Sequence, residues 1–233
     1  MKLAIMQPYL FPYIGYFQLM QEADVFVIYD DVQFIKGGWI NRNRILLRGG
    51  AAWITLPVAR APLHSRINER RYALDHRQAL RSRQMVAEAY RKAPFFEEVV
   101  TLVDQMFANA DANVAVFNQA SLQTLADALG VKCEFLVSSQ LNKTEGLAGA
   151  KKVLDLCTRL GAKKYINLSG GVSLYSREEF AEQGVELAFL RSRPTDYPQF
   201  GAPHAPFLSI LDVMMFNRRP ALEYMLRNGY DLF

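Results

Sequence analysis

With 233 residues, of which 51% are hydrophobic, 12% aromatic and 21% charged, the chain fits one large domain and excludes a disordered or low-complexity protein. No apolar run approaches the roughly 18 residues needed to cross a bilayer, and Gln7-Pro8 interrupts the opening apolar run too early for a signal-peptide core, so a cytoplasmic protein with no membrane span is expected. The two cysteines, Cys133 and Cys157, are too few for a disulfide framework and lack a ligand pairing with the three histidines, so no metal site is expected.

Residues 2 to 6 read as an apolar strand ended by Gln7-Pro8, and Val25 to Tyr29 as a second buried strand. Between them Ile14 to Gln21 has helical composition, which makes the opening a βαβ unit. Arg44 to Leu47 and Ala52 to Val58 flank Arg48-Gly49-Gly50, a hairpin signal. From residue 76 the pattern turns helical, with Val99, Leu102, Val103 and Met106 on one face and a further helix from Val114 to Leu129 closed by Gly130. Strands return at 133 to 137, 164 to 167 and 185 to 190, separated by helices, and helices near 207 to 217 and 220 to 227 complete the chain. The expectation is a single α/β domain over 1–233: a three-layer, doubly wound, mostly parallel sheet, with 44–129 as a hairpin and helical insertion.

Net charge is only +4, yet Arg66, Arg70, Arg71, Arg77, Arg81, Arg83, Arg91 and Lys92 crowd one stretch. A solvated helix face is the plain explanation, and an acidic partner or substrate phosphates are the alternative. Nucleic acid is not expected, because no zinc module, RNA-binding aromatic signature or heptad accompanies the charge.

Chemistry concentrates early. The loop after the first strand carries Gln7, Tyr9, Tyr13 and Tyr16 among two prolines and Gly15, at the place where open α/β sheets bind ligands. After the second strand come Asp30-Asp31 and then Asn41-Arg42-Asn43, in which an aspartate could accept a proton, Arg42 could clamp a carboxylate or phosphate, and the asparagines could read amides or hydroxyls. Packing of the aromatic loop on its own domain and turn capping by the polar residues are the competing explanations. His64, His76 and His204 sit in unrelated contexts, and His204 is the best lone acid or base.

The residues Gln7-Pro8-Tyr9, Pro12, Gly15-Tyr16-Phe17, Ala23-Asp24, Asp30-Asp31-Val32-Gln33, Trp39 and Asn41-Arg42-Asn43 resemble the WbqC-like protein family, as do Tyr165, Ser169-Gly170, Tyr175, Tyr197-Pro198-Gln199 and Leu208 to Asp212 further on. The resemblance implies a bacterial protein associated with O-antigen and other surface polysaccharides. It extends the expected substrate-binding set to Gln7, Tyr9, Tyr16, Gln33, Trp39, Asn41, Arg42, Asn43, Ser169, Gly170, Tyr175 and Gln199, beside Asp30, Asp31 and His204 as candidate catalytic groups. At the level of pattern, the opening is also similar to nucleotidylyltransferase folds, with Tyr13-Ile14-Gly15-Tyr16 where those carry a histidine pair. Tyrosine is uncharged at neutral pH and cannot neutralise a phosphoryl group as imidazolium does. The expected activity is therefore acyl or aminoacyl transfer to the amino group of a nucleotide-activated amino sugar, without a cofactor, with a thioester on an acidic acyl carrier protein as a possible donor. A non-catalytic sugar-nucleotide or glycan-binding component and a modified nucleotidyltransferase are the alternatives.

Overall fold

The computed structural model describes residues 1–75, 77–108, 111–201 and 203–233. Its central sheet contains β1 (Lys2–Met6), β2 (Val25–Ile28), β5 (Glu134–Val137), β6 (Lys164–Leu168), β7 (Glu186–Ser192) and β8 (Tyr230–Leu232), in the order β5-β2-β1-β6-β7-β8. Every pairing is parallel except that of β8, which runs antiparallel to β7 with Leu190 opposite Leu232. All five expected strands share this sheet. The edge strand β8 has no counterpart in the sequence reading, because three residues after Gly229 carry too little periodicity to register.

Alternation along each strand sends side chains to two cores. Ala4, Phe26, Ile28, Ile166, Ala188 and Leu190 face one side, where α1 (Ile14–Glu22), α4 (Val114–Leu129) and α8 (Arg219–Asn228) cover the sheet. Leu3, Ile5, Val25, Val27, Leu187 and Phe189 face the other, against Leu156 and Cys157 of α5 (Gly149–Arg159) and Phe180 of α6 (Arg177–Glu182). The result is helix, sheet, helix.

Between β2 and β5 lies the insertion: the hairpin β3 (Arg42–Leu47) and β4 (Gly50–Thr55), then α2 (Arg77–Tyr90), α3 (Phe96–Ala108) and α4. The hairpin turn is tighter than expected. Leu47 pairs with Gly50, leaving Arg48 and Gly49 as a two-residue turn with φ of 52° and 79°, the mirror-image geometry that matches the strand twist. Ile45, Ile54, Tyr90 and Phe117 of the insertion belong to the same buried cluster as the α1 face of the sheet. Helix ends follow their caps: Asn113 accepts from the N–H groups of Ala115 and Val116 to start α4, and Gly130 closes it at φ 72°. Among the described residues no helix is long and apolar enough to cross a membrane.

Candidate functional site

Numbered within the sheet alone, the strand order is 3-2-1-4-5-6. Connections leave β1 toward β2 on one side and reach β6 on the other, so a crevice opens outside the carboxyl ends of β1 and β6. The loop between β1 and α1 lines this crevice and is fixed from three directions. Asn43 Nδ2 donates to the carbonyls of Leu10 and Phe11, 2.9 Å each, and Asn118 Nδ2 donates to Pro8 O at 2.8 Å. Ser209 Oγ donates to Phe11 O at 2.7 Å, and Ile210 N–H donates to Pro12 O at 2.8 Å, at the start of α7 (Ile210–Phe216). Held this way, Phe11 adopts φ 42°, a left-handed conformation that costs a non-glycine residue about 1–3 kcal/mol and persists only where the surroundings impose it.

Above this loop is a cleft of about 530 Å³ walled by Tyr9, Pro12, Tyr13, Trp39 and Phe207, with Asn43, Arg44, Ser169, Arg191, Ser192 and Pro194 completing it. Gly15 shapes one wall, because a Cβ there would lie 2.4 Å from Tyr13 Cε2; without it the Tyr13 ring folds against the first turn of α1. Burial pushes the Tyr9 phenol up, and burial with the neighbouring Tyr9 pushes Tyr13 up to about 12, so both are neutral hydrogen-bonding groups at physiological pH. Arg44 and Arg191 carry no ion pair among the described residues; Arg44 sits 5.8 Å from the Trp39 ring and donates to Phe207 O at 3.4 Å, and Arg191 lies 4.8 Å from the Phe233 ring. Two buried polar atoms of the lining, Arg44 Nε and Ser192 Oγ, have no hydrogen-bond partner among the described residues, as is also true of Gln18 Oε1, the Tyr29 hydroxyl and Arg70 Nε outside the cleft. A buried donor without a partner forfeits about 1–3 kcal/mol. The arrangement suits an anion joined to a flat or apolar ring.

A model of the WbqC-like protein family matches residues 7–224, a span that includes the whole cleft. The chain belongs to the WbqC-like protein family. It is also similar to Uncharacterized protein Rv1507c of Mycobacterium tuberculosis, with 28% identity over 232 residues that cover 96% of this chain and 97% of the relative. No solved structure matches the chain.

The family's early polar blocks do not form the single cleft that the sequence reading drew. Tyr9, Trp39, Asn43 and Ser169 line the crevice, Gly170 is exposed beside Ser169, and Gln7 is half-buried outside the lining with its carbonyl accepting from the Tyr16 hydroxyl. Tyr16 itself is sealed in the core, which removes it from any ligand. Asn41 donates to Leu56 O at 2.9 Å, and Gln33 is exposed, donating to Leu63 O at 3.4 Å, so both strap the insertion. Arg42 is the larger correction: it donates to the carbonyls of Gly37 and Gly38 and stacks 4.2 Å from the Trp53 ring, outside the cleft. Tyr175 meets the Tyr165 hydroxyl at 3.3 Å and packs on Phe180.

The aspartates are likewise tied into the fold. Asp30 accepts from Ser139 N–H at 2.9 Å, Ser139 Oγ at 2.6 Å and Asn68 Nδ2 at 3.2 Å. Asp31 is buried and accepts from Ser138 Oγ at 2.7 Å, with Lys143 Nζ at 2.8 Å and Lys152 Nζ at 2.9 Å. Burial acts to raise the Asp31 pKa, but hydrogen bonds from Lys143, Lys152 and Ser138 and the Lys152 charge outweigh it and lower the carboxyl to about 2. The expectation of a neighbour-raised aspartate base is thereby overturned for Asp31: the dominant neighbours are cations.

His204 is not in the cleft lining but in an adjoining hollow that shares Ser192, Pro194 and Phe207 with it, its Nδ1 3.3 Å from Tyr197 O and its ring edge-on to Tyr197, while His76 lies outside the described residues. Gln199 is buried, donating to Asp212 Oδ1 at 2.6 Å. Asp212, fully buried, also accepts from Tyr197 at 2.6 Å and Tyr90 at 2.8 Å, and burial raises its pKa. This knot joins α2, α7 and the segment after β7. The sequence reading missed Arg44, Arg191, Ser192 and Phe207. Two signals were available: Arg44 is two residues beyond Arg42 on a strand, and Arg191-Ser192 ends a buried parallel strand at the carboxyl edge.

Proposed function

We propose that the cleft binds a nucleotide-activated amino sugar and that the protein is a transferase of surface-polysaccharide assembly, placing an acyl or aminoacyl group on the sugar amine. The observation that carries the binding step is the pair of buried atoms, Arg44 Nε and Ser192 Oγ, that find no hydrogen-bond partner among the described residues, in an aromatic cleft whose two arginines carry no ion pair among those residues. The guanidinium groups hold the diphosphate, and Tyr9, Tyr13, Trp39 and Phe207 receive the base and sugar rings. The uncapped N-terminus of α1 adds partial positive charge on the same side. Transfer from a thioester balances without a protein base: the amine nitrogen bonds to the carbonyl carbon, the C–S bond breaks, and sulfur departs with the electron pair and takes up the amine proton. The protein then contributes position and exclusion of water.

One observation favours the non-catalytic reading: among the described lining residues there is no carboxylate, imidazole or thiol. Nucleotidyl transfer is the weaker alternative, since Tyr16 is sealed away and Tyr13 stays neutral. The deciding experiment is titration calorimetry with UDP and with UDP-linked sugars bearing a free amine, followed by mass spectrometry after addition of acyl and aminoacyl thioesters. Arg44→Ala and Arg191→Ala should each weaken binding about 10- to 100-fold, the worth of one charge-assisted hydrogen bond. Equal affinity in both variants refutes the site; tight binding with no mass gain for any donor moves the protein to the non-catalytic reading.

A further inference from the structure

The basic stretch of the sequence divides in the structure. Arg70 is buried, donating to the carbonyls of Ala61 and Pro62, and Arg83 is paired with Asp104 at 2.8 Å. Arg48, Arg77 and Arg81 are exposed and carry no ion pair among the described residues. These three edge a groove between α2 and the β3–β4 hairpin, made of two contiguous hollows of about 490 and 480 Å³ that share Arg81 and Met85. Its lining is mixed, with Leu47, Met85 and the exposed Trp53 beside Thr55, Ser82 and Gln84, and Glu88 at one end is its sole acid among the described lining residues.

Trp53 connects this groove to the cleft. Its ring centre lies 5.2 Å from that of Trp39, and Trp39 forms a wall of the cleft. Arg42 covers Trp53 at 4.2 Å and Arg44 approaches Trp39 at 5.8 Å, so two indoles in contact, tilted by 39° and each with a cation beside it, form a ledge from groove to site. From Arg77 to Glu88 the groove spans about 16 Å of helix, the footprint of one partner helix.

We infer that this groove is the docking face for an acidic acyl carrier protein, seated by a negatively charged helix against Arg48, Arg77 and Arg81, whose thioester-bearing arm crosses the Trp53–Trp39 ledge into the cleft. The inference rests on the transferase reading, and it gives a role to the exposed Arg77 and Arg81 on the hairpin side of α2, while Arg66, Arg71, Arg91 and Lys92 are exposed outside the groove. A short groove edged by three cations, with a mixed lining and an acid at one end, suits a protein helix better than the longer phosphate track of a nucleic acid.

The experiment measures binding of purified bacterial acyl carrier protein, in phosphopantetheinyl and acetyl forms, at about 50 and about 300 mM salt. A Kd in roughly the micromolar range is expected, weakening with salt. The double variant Arg77→Glu/Arg81→Glu should lose at least tenfold in affinity and raise the KM for acetyl carrier while leaving kcat unchanged, and Arg77→Lys/Arg81→Lys should stay near the parent. None of these variants touches the cleft, so titration with UDP-linked sugar should be unchanged in all. Absence of carrier binding at low salt, insensitivity to charge reversal, or tighter binding of a short RNA or DNA oligonucleotide with the same sensitivity would each overturn the docking face. If the carrier binds through these arginines while the parent protein fails to bind any sugar nucleotide, the docking face stands and the proposed acceptor fails.

Discussion

Replacing Asp31 with asparagine separates a structural carboxylate from a catalytic one. In the folded protein its carboxyl falls from the ordinary 3.8 to about 2, because Lys143, Lys152 and Ser138 donate to it in a buried setting. At 1.36 kcal/mol for each tenfold change in acidity, that fall is worth about 2 kcal/mol to the folded state. A lowered acid pKa adds stability that is complete above the unfolded value of 3.8 and is lost as pH drops through 2. The variant also leaves two ammonium groups, 20% and 10% exposed, facing an amide, and breaking a buried pair costs at most about 3–5 kcal/mol. Asp31→Asn should therefore destabilise by about 2–4 kcal/mol at pH 7, a fall in Tm of roughly 5–15 °C for a chain of this size. Thermal melts followed by circular dichroism should show the two proteins converging between pH 4 and pH 2. A variant that melts with the parent at pH 7 yet loses about 100-fold or more in turnover would refute this reasoning and return Asp31 to the role of proton acceptor.

Two further outcomes follow from the same hydrogen-bond map. Tyr90→Phe removes the donor to Asp212 Oδ2 and the acceptor for Leu46 N–H, both buried, and should cost about 1–3 kcal/mol in urea unfolding without weakening binding of UDP-linked sugar. Asn43→Ala frees the Leu10 and Phe11 carbonyls from their strap and releases the strained Phe11, so it should cost about 2 kcal/mol or more and weaken the same ligand several-fold, whereas a purely local role would change melting alone.

The contrast between Asp31 and Arg44 shows which parts of this protein are legible from residues in order. Strand positions follow from short apolar runs, and the placement of a ligand crevice after β1 follows from the way a parallel sheet is wound, so Tyr9, Trp39 and Ser169 could be located by rules that act over a few residues. The partner of a charged side chain obeys no such rule. Asp31 meets Lys143 and Lys152 across more than a hundred residues, and Arg42 finds its acceptors only four and five residues back, at Gly38 and Gly37. In both cases a polar group that follows a strand in the sequence looks free for a ligand, while the fold satisfies it internally. Arg44 and Ser192 are the converse: each retains a buried atom with no partner among the described residues, a property that exists only once every neighbour is in place. What the fold leaves unmet is one mark of a binding residue: Gln18, Tyr29 and Arg70 carry it away from the cleft, and at Arg44 and Ser192 it coincides with a cavity walled by aromatic rings at the switch between β1 and β6.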